Sequence, residues 1–364
     1  MVARRSTRPP LHVRLMTAQV IKERKASRAR IASARRVTQV PTMTYLEQRS
    51  VTQKTLDQYK HLAQAFLTWC QNAAFDWSGA EGLDLGLALF FDHAFFQGKP
   101  GSVGEKTLAS MKFFFPALSR HGATDLPRAH RAVKSWSKLS PGLQRLPLPA
   151  VCVAAICGKL IADGMPWQAF FVLTGFLAYL RPSENTGLKV KCLVPPLEGS
   201  REGAPYSTWS LNLHPCTDGV PGKTGIMDET VLLDGPVWMD AWYQRLRTGR
   251  PADAPLWPFD VGTATQFFMD TWKALRMDPV APSLYALRHG GASEDLLAQR
   301  RTPEGVLRRG RWRTNQSLKR YGKEAKLMAQ VSLIPATTLN FGEKVLGSLE
   351  AAFNGGVALH PPTP

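Results

Sequence analysis

Residues 283–299 read SLYALRHGGASEDLLAQ, and this stretch says more about the fold than any other. Pro282 and Ser283 are typical of a helix start, and the apolar residues that follow recur at helical spacing. Three polar side chains share one face of the predicted helix: Tyr285, Arg288 and His289. The two consecutive glycines that follow each weaken a helix by about 1 kcal/mol relative to alanine. Glycines are expected where a backbone or ligand approaches closely, although a plain amphipathic helix explains this stretch taken alone.

A second pattern lies upstream, where an apolar segment ends in an arginine. Residues 174–188 read TGFLAYLRPSENTGL. If the turn after Arg181 is helical, Glu184 lies on the same face, so the carboxylate can orient the guanidinium. An exposed ion pair is the more common reason for such spacing, so this pattern is weak by itself.

A third pattern is the basic string RRGRWRTNQSLKRYGK at residues 308–323. Thr302 and Pro303 predict a short helix before it, and a further helix is predicted to carry Tyr321, nine residues after Trp312. Basic residues surround these two aromatic side chains: Arg311, Arg313, Lys319, Arg320 and Lys323. They are expected to face a polyanion such as DNA, although most tyrosines with basic neighbours are ordinary surface groups.

Composition limits the classes of partner and chemistry. The net charge of +18 and the pI near 10 indicate nucleic acid or an anionic membrane surface. The longest apolar stretch, residues 166–180, is shorter than the about 20 residues that a membrane span needs, and residues 1–20 lack the apolar core of a secretory signal. Five cysteines without a CxxC pair argue against disulfides and zinc. The 28 acidic residues form no cluster suited to two divalent ions, so neither a metal nor a cofactor is expected.

The order of patterns predicts a mainly α protein with a small β-sheet. The predicted segments are a basic arm (1–45), a helical domain (46–137), a proline-rich linker (138–149), a mixed α+β domain (150–335) and a C-terminal helix with tail (336–364). Predicted helices include one capped by Thr52, one at 83–96, one with a capping box of Ser102 and Glu105, and two at 150–163 and 166–180. Predicted strands lie near 207–213 and 228–233.

Together, the order and spacing of the three patterns resemble the tyrosine recombinase and phage integrase family. The resemblance covers roughly residues 150–330, and TQKTLDQYKHLAQAFLTWC near the start of the helical domain looks like the family's SAM-like core-binding domain. The segments LRHGGAS and SLKRYGK look closer in sequence to integrase-like genes of eukaryotic mobile elements than to bacterial chromosome-resolution enzymes. The resemblance implies metal-independent cutting and rejoining of double-stranded DNA, with a homo-tetramer on paired sites and transposition or integration as the biological outcome.

The resemblance also implies roles for particular residues. Arg181 and Arg288 match the arginines that hold the scissile phosphate, and Tyr321 matches the nucleophile that forms a 3′-phosphotyrosyl link. Lys223, in PGKTGIMDETVLLD, resembles the lysine that protonates the leaving 5′-oxygen, and Trp312 takes the family's His/Trp position. Glu184 and His289 are expected to support these groups. The C-terminal helix, with a predicted cap of Asn340 and Glu343, is expected either to pass to a neighbouring subunit or to dock on its own domain.

One departure from the family keeps other functions open. Tyr285 stands where the family usually has a histidine, and a phenol is a poor base at neutral pH. A DNA-binding protein that has lost catalysis is therefore an alternative, and a type IB topoisomerase shares the nucleophile. An RNA- or membrane-binding protein with chance matches is a third class.

The basic arm is compatible with a solvated segment, a phosphate contact, a nuclear-import patch or a transit peptide. The protein is expected in the nucleus if it is eukaryotic, and in the cytoplasm or nucleoid otherwise. Targeting to an organelle stays open.

Overall fold

The fold was obtained as a computed structural model that describes residues 43–142, 147–201, 206–219, 222, 225–278, 283–314 and 324–362. The chain divides into two compact units, with the boundary between Gln144 and Arg145, inside the segment predicted as a linker. The predicted fold class is confirmed, since the described chain is mainly helical with a small antiparallel sheet. No described helix has the length and apolar character that a bilayer crossing requires.

The N-terminal unit is a bundle of helices. They are α1 (Tyr45–Gln48), α2 (Gln53–Asn72), α3 (Gly79–Phe96), α4 (Ser102–Phe114) and α5 (Pro127–Leu139), with a short 3₁₀ turn at Pro116–Leu118. Helix α2 begins as predicted, because the Thr52 side chain accepts the backbone N–H of Thr55 at 3.3 Å. The capping box predicted for α4 is wrong: Gly101 is the N-cap, so Ser102 already lies inside the first turn.

A buried carboxylate fixes the start of α5. Asp84 of α3 accepts the backbone N–H groups of Arg128 at 3.0 Å and Ala129 at 2.9 Å. These are donors that the first turn of a helix leaves without an intrahelical partner, and Pro127 at the first position has none to offer. Asp84 thereby ties α5 to α3 over the core built by Phe66, Leu87, Met111 and Trp136.

The C-terminal unit surrounds two buried helices. Its elements are α6 (Ala150–Ala162), α7 (Pro166–Leu177), α8 (Pro182–Thr186), β1 (Leu193–Val194), β2 (Ser210–Leu213), β3 (Glu229–Leu232), α9 (Met239–Arg247), α10 (Val261–Ala274), α11 (Tyr285–Leu297), α12 (Pro303–Gly310), α13 (Glu324–Val331), α14 (Ala336–Gly347) and α15 (Leu349–Phe353). Short 3₁₀ turns lie at Val190–Cys192 and Cys216–Asp218. Strands β1, β2 and β3 pair antiparallel in that order, with Leu211 opposite Leu193 and Val231.

Several boundaries differ from the sequence predictions, among them the start of α3, which is Gly79 rather than residue 83. Helix α7 ends at Leu177 rather than near residue 180, because Tyr179 adopts a φ of +48° that a right-handed helix cannot contain. The first predicted strand begins at Ser210 rather than near residue 207, and the second is shorter by one residue at each end. The predicted cap at Asn340 is also wrong, since α14 begins at Ala336, directly after Pro335.

The C-terminal helix docks on its own unit. Helix α14 packs on α6, and at Gly342 an added Cβ would lie 2.3 Å from the carbonyl oxygen of Val151. On the facing helix, an added Cβ at Gly158 would lie 2.6 Å from Val345. Two glycines therefore let the helix axes approach closely, so the described chain adopts the second of the two arrangements considered for this helix.

Candidate active site

Three arginines converge on the carboxylate of Glu184. Helix α8 begins directly after Arg181, whose backbone N–H donates to Glu184 Oε2 at 2.8 Å and whose guanidinium pairs with Oε1. Arg311, which follows α12, donates to Oε2 at 2.5 Å. Arg288 of α11 places its Nη1 3.8 Å from the same oxygen. We call these four residues the arginine centre.

The arginine centre is almost closed to solvent. Side-chain exposure is 3% for Glu184, 0% for Arg288 and 5% for Arg311, whereas Arg181 keeps 14%. A second carboxylate, Glu229 of β3, lies 3.7 Å from Arg311 Nε. Three guanidinium groups thus face two carboxylates, so the group carries one positive charge in excess. Of the three guanidinium groups, that of Arg181 is the most exposed to solvent. This arrangement attracts an anion to Arg181.

Mutual crowding shifts the protonation equilibria of the arginine centre. Burial alone would favour the neutral acid of Glu184, but the surrounding guanidinium groups outweigh it and hold the pKa of this carboxyl below its ordinary value. For Arg288, burial and then the neighbouring Arg311 and Arg181 lower the pKa of the guanidinium to about 10. Both groups therefore remain charged at neutral pH.

Carbonyl groups at the ends of two helices hold the Arg288 guanidinium. Nη1 donates at 2.5 Å to the carbonyl of Tyr179, just beyond α7, and Nη2 donates to the carbonyl of Gly310 at the end of α12. The C-terminal end of a helix carries partial negative charge, so both positions favour a cation. The Trp312 ring makes a cation–π contact with the same group, with its centroid 4.9 Å from the Arg288 guanidinium carbon.

The two glycines of α11 have the role predicted for them. At Gly291 an added Cβ would lie 2.0 Å from the carbonyl oxygen of Phe176, and at Gly290 it would lie 2.2 Å from that of Leu148. Helix α11 therefore contacts the α7 backbone directly. This close approach brings Arg288 to the end of α7 and, through it, to Arg181.

The remaining predicted site residues divide into those near the arginine centre and those outside the described residues. Tyr285 and His289 are partly buried neighbours on α11, with ring centroids 4.9 Å apart. Arg313 is exposed, as expected for a DNA contact, and Arg311 is turned inward onto Glu184. The residues outside the described chain are Lys223, Lys319, Arg320, Tyr321 and Lys323.

Arg311 was predicted from the sequence to contact DNA, but its side chain is 5% exposed and is bound to Glu184 inside the arginine centre. Its φ of +55° places it in the left-handed region as the residue that ends α12. This conformation turns its side chain away from that of Arg313 and toward Glu184. Within RRGRWR nothing distinguishes it from its neighbours, and its carboxylate partners are far away in the sequence.

Comparisons with known proteins add a resemblance in structure. No protein-family model matches the chain, and no curated protein matches it significantly. Two solved tyrosine recombinases resemble it. A lambda integrase (75-356) dimer bound to a COC′ core site aligns over 76% of this chain and 90% of its own, at 16% identity and a TM-score of 0.46. XerA recombinase aligns over 79% of this chain and 94% of its own, at 14% identity and a TM-score of 0.35.

Both of these proteins are tyrosine recombinases, the family that the sequence motifs resemble. At these identities and TM-scores the likeness carries no argument about activity, which has to be made from the side chains. Within the described chain, no group of three or more His, Cys, Asp or Glu side chains is arranged to hold a metal ion.

Proposed function

We propose that this protein is a tyrosine-type, site-specific DNA recombinase that acts through a 3′-phosphotyrosyl intermediate at Tyr321. The observation that carries the proposal is the convergence of Arg181 and Arg288 on one carboxylate. Residues so distant in the sequence reach the same carboxylate because α11 packs closely on α7. Phosphoryl transfer needs positive charge on the non-bridging oxygens, and planar guanidinium forks supply it.

The proposed reaction conserves the energy of the phosphodiester. The phenolic oxygen of Tyr321 attacks the scissile phosphorus, the bond to the 5′-oxygen breaks, and Lys223 gives that oxygen a proton. The products are a 3′-phosphotyrosyl protein and a free 5′-hydroxyl. A 5′-hydroxyl from the same or another strand reverses the step and regenerates the phenol, so no ATP is consumed.

The members of the arginine centre and Trp312 have different roles in binding the phosphate. Arg181 has the most exposed guanidinium of the arginine centre and is the first to contact an incoming phosphate. Arg288 follows when its bond to the carbonyl of Gly310 is exchanged for one to a phosphate oxygen, while the carbonyl of Tyr179 stays bound. Glu184 keeps the two guanidinium groups close together before DNA arrives. Trp312 supports Arg288 from the other side, since the guanidinium lies over its ring.

A DNA-binding protein without catalysis is the second candidate. The observation that favours it is the complete burial of Arg288, whose terminal nitrogens both donate to main-chain carbonyls. If these bonds persist on DNA, Arg288 is a structural residue and one phosphate-binding arginine remains. The presence of Tyr285 in place of a histidine points the same way.

The test uses a pool of nicked duplexes with randomised sequence, so that no target site has to be known. A nick beside the cleavage point lets the short leaving strand diffuse away, which traps a covalent intermediate. The wild-type protein is expected to yield a protein–DNA adduct that survives denaturation, with the nucleotide attached to the peptide that contains Tyr321. Tyr321→Phe should bind the same pool and yield none.

Two outcomes would decide against the proposal. Salt-sensitive binding without an adduct would favour the second candidate, because phosphate contacts release counterions whether or not cleavage follows. An adduct that persists in Tyr321→Phe would assign the nucleophile elsewhere. Sedimentation of the trapped complex measures the proposed tetramer on paired sites.

A further inference from the structure

Tyr179 belongs to a closed ring of five side chains beside the arginine centre. Its hydroxyl donates to Asp295, whose carboxylate accepts from Arg301 Nε at 2.8 Å. Arg301 Nη2 donates to Asp234 at 2.8 Å, and Arg309 Nη1 donates to Asp234 at 2.7 Å. The ring closes where the Arg309 guanidinium lies 5.4 Å from the centroid of the Tyr179 ring. We call these five residues the Tyr179 clasp.

The Tyr179 clasp joins the elements that carry the arginine centre. Arg309 also donates to the carbonyls of Leu177 at 2.7 Å and Leu232 at 2.9 Å, the last residues of α7 and β3. Asp295 comes from α11 and Arg309 from α12. The ends of four elements are therefore tied to one another by charged groups. Arg309 and Asp295 are 6% and 14% exposed, whereas Arg301 and Asp234 keep 27% and 34% of their side-chain surface in contact with solvent.

Tyr179 touches two of the proposed phosphate-binding groups directly. Its ring stacks on the indole of Trp312, with centroids 6.4 Å apart and planes inclined by 23°. Its carbonyl accepts the hydrogen bond from Arg288 Nη1 at 2.5 Å. The side chain of this one residue thus supports the tryptophan, and its main chain holds the arginine.

The backbone at Tyr179 is unusual for a large side chain. Its φ of +48° lies in the left-handed region, which glycine occupies without strain and aromatic residues rarely adopt. A glycine would present the same carbonyl to Arg288 with less strain, but it would leave Trp312 without support and Asp295 without the phenol. A strained residue beside a candidate site is a reason to look for a function of its side chain.

Burial and neighbouring charges fix the protonation states of Tyr179 and Asp234 in the Tyr179 clasp. Burial and the Asp295 carboxylate raise the pKa of the Tyr179 phenol far above its ordinary value, so the hydroxyl stays a donor at any working pH. Burial opposes ionisation of Asp234, but the guanidinium groups of Arg309 and Arg301 outweigh it and lower the pKa of that carboxyl. Asp234 therefore stays ionised between two guanidinium groups, and the Tyr179 phenol stays neutral.

We propose that Tyr179 is a positioning residue for the DNA-cleavage step, because it sets the place of the Trp312 indole and of the Arg288 guanidinium. The proposal rests on the proposed recombinase function. Tyr179 does not touch DNA itself, so its loss is expected to slow cleavage of bound DNA and to leave DNA affinity nearly unchanged. A purely structural tyrosine would lower thermal stability without altering the rate per folded molecule.

Three variants separate these roles. Tyr179→Gly keeps the left-handed backbone and removes the ring, Tyr179→Phe keeps the ring and removes the hydroxyl, and Tyr243→Phe removes a hydroxyl from a buried tyrosine elsewhere in the same unit. The rate constant for single-turnover cleavage of the nicked duplex is expected to fall about tenfold or more in Tyr179→Gly. This change is equivalent to about 1.4 kcal/mol in the activation free energy. In Tyr179→Phe it should fall less, by about threefold or under, because stacking is retained. Tyr243→Phe should cleave like the wild type.

A spectroscopic readout makes the test independent of catalysis. The protein is labelled with 5-fluorotryptophan, and the signal of Trp312 is identified by its loss in Trp312→Phe. Tyr179→Gly should shift and broaden that signal, because the stacked ring and its ring current are gone, whereas Tyr179→Phe should leave it near its original position. If wild type forms no adduct but the signal responds in this way, the recombinase proposal fails and the positioning of Trp312 stands. An unmoved Trp312 signal in folded Tyr179→Gly, or a cleavage rate equal to wild type, would overturn the inference.

Discussion

Replacing Glu184 by glutamine removes the one carboxylate that three guanidinium groups share. The substitution keeps the size and shape of the side chain, so it changes charge with little effect on packing. Its amide NH2 would face the donors of Arg181 or Arg311, where the carboxylate now accepts from both. We expect Glu184→Gln to be among the most destabilising single changes in the C-terminal unit.

The expected magnitude follows from burial. Glu184 and Arg311 are 3% and 5% exposed, so solvent screens their attraction very little. Removing one partner of a buried ion pair costs about 3–5 kcal/mol because the other charge is left uncompensated. Since the glutamine oxygen can still accept one hydrogen bond and Glu229 remains near Arg311, we expect the lower end, about 3 kcal/mol. The exposed Glu343 of α14 provides a matched control, and Glu343→Gln should stay within about 0.5 kcal/mol of wild type.

Urea unfolding of the wild type and both variants measures this difference, and its pH dependence tests the cause. The pKa of Glu184 in the folded protein lies below its ordinary value of 4.5, so the charged form contributes stability above that value. This contribution is lost as the pH falls through the lower, folded-state pKa. The gap between wild type and Glu184→Gln should therefore be full at neutral pH and should shrink at pH values below 4.5. A gap no larger than that of Glu343→Gln, or one independent of pH, would refute the reasoning.

Three further predictions concern α11, α12 and the basic arm. Gly291→Ala should lower the free energy of unfolding by about 3 kcal/mol or more. The alanine Cβ would lie 2.0 Å from the carbonyl oxygen of Phe176, and neither backbone can withdraw. Stability near that of the wild type would mean that α11 and α7 are farther apart. Thr302→Ala should lower the free energy of unfolding by about 1 kcal/mol, because the backbone N–H of Gly305 loses its side-chain acceptor. Thr302→Ser should restore the lost stability, since serine offers the same hydroxyl. Deletion of residues 1–42 removes eleven lysines and arginines and should flatten the dependence of log affinity for DNA on log salt concentration. An unchanged slope in a filter-binding titration would show that the arm makes no phosphate contacts.

Much of the helical framework could be predicted because its signals are local. The caps at Thr52 and Thr302 each need only a side-chain oxygen and a backbone N–H three residues away. The C-terminal boundary of α7 was predicted wrongly, because no glycine or proline marks the break. Tyr179 ends a helix in the left-handed conformation, which tertiary contacts with Asp295 and Trp312 stabilise and which its residue type does not suggest.

The candidate site was predictable to a similar extent. Arg181 and Glu184 are one helical turn apart and meet as the spacing indicated, and the paired glycines anticipated the close approach that brings Arg288 to them. The inward turn of Arg311 depends on its positive φ and on carboxylates from two distant segments. No single stretch of sequence contains that information. The same holds for the Tyr179 clasp, whose acidic members lie far from its arginines or look like surface residues in isolation.

The central claim is that Arg181 and Arg288 act on one phosphate, and single-turnover cleavage of a methylphosphonate duplex tests it most directly. Replacing a non-bridging oxygen of the scissile phosphate by a methyl group removes the negative charge that the guanidinium groups would neutralise. On ordinary DNA, Arg181→Ala should slow cleavage by about a hundredfold or more, as loss of one preorganised donor to a developing oxyanion typically does. On the methylphosphonate duplex, the same variant should cleave at nearly the wild-type rate. An equal defect on both substrates would contradict the account, because Arg181 would then act on something other than the charge of the scissile phosphate.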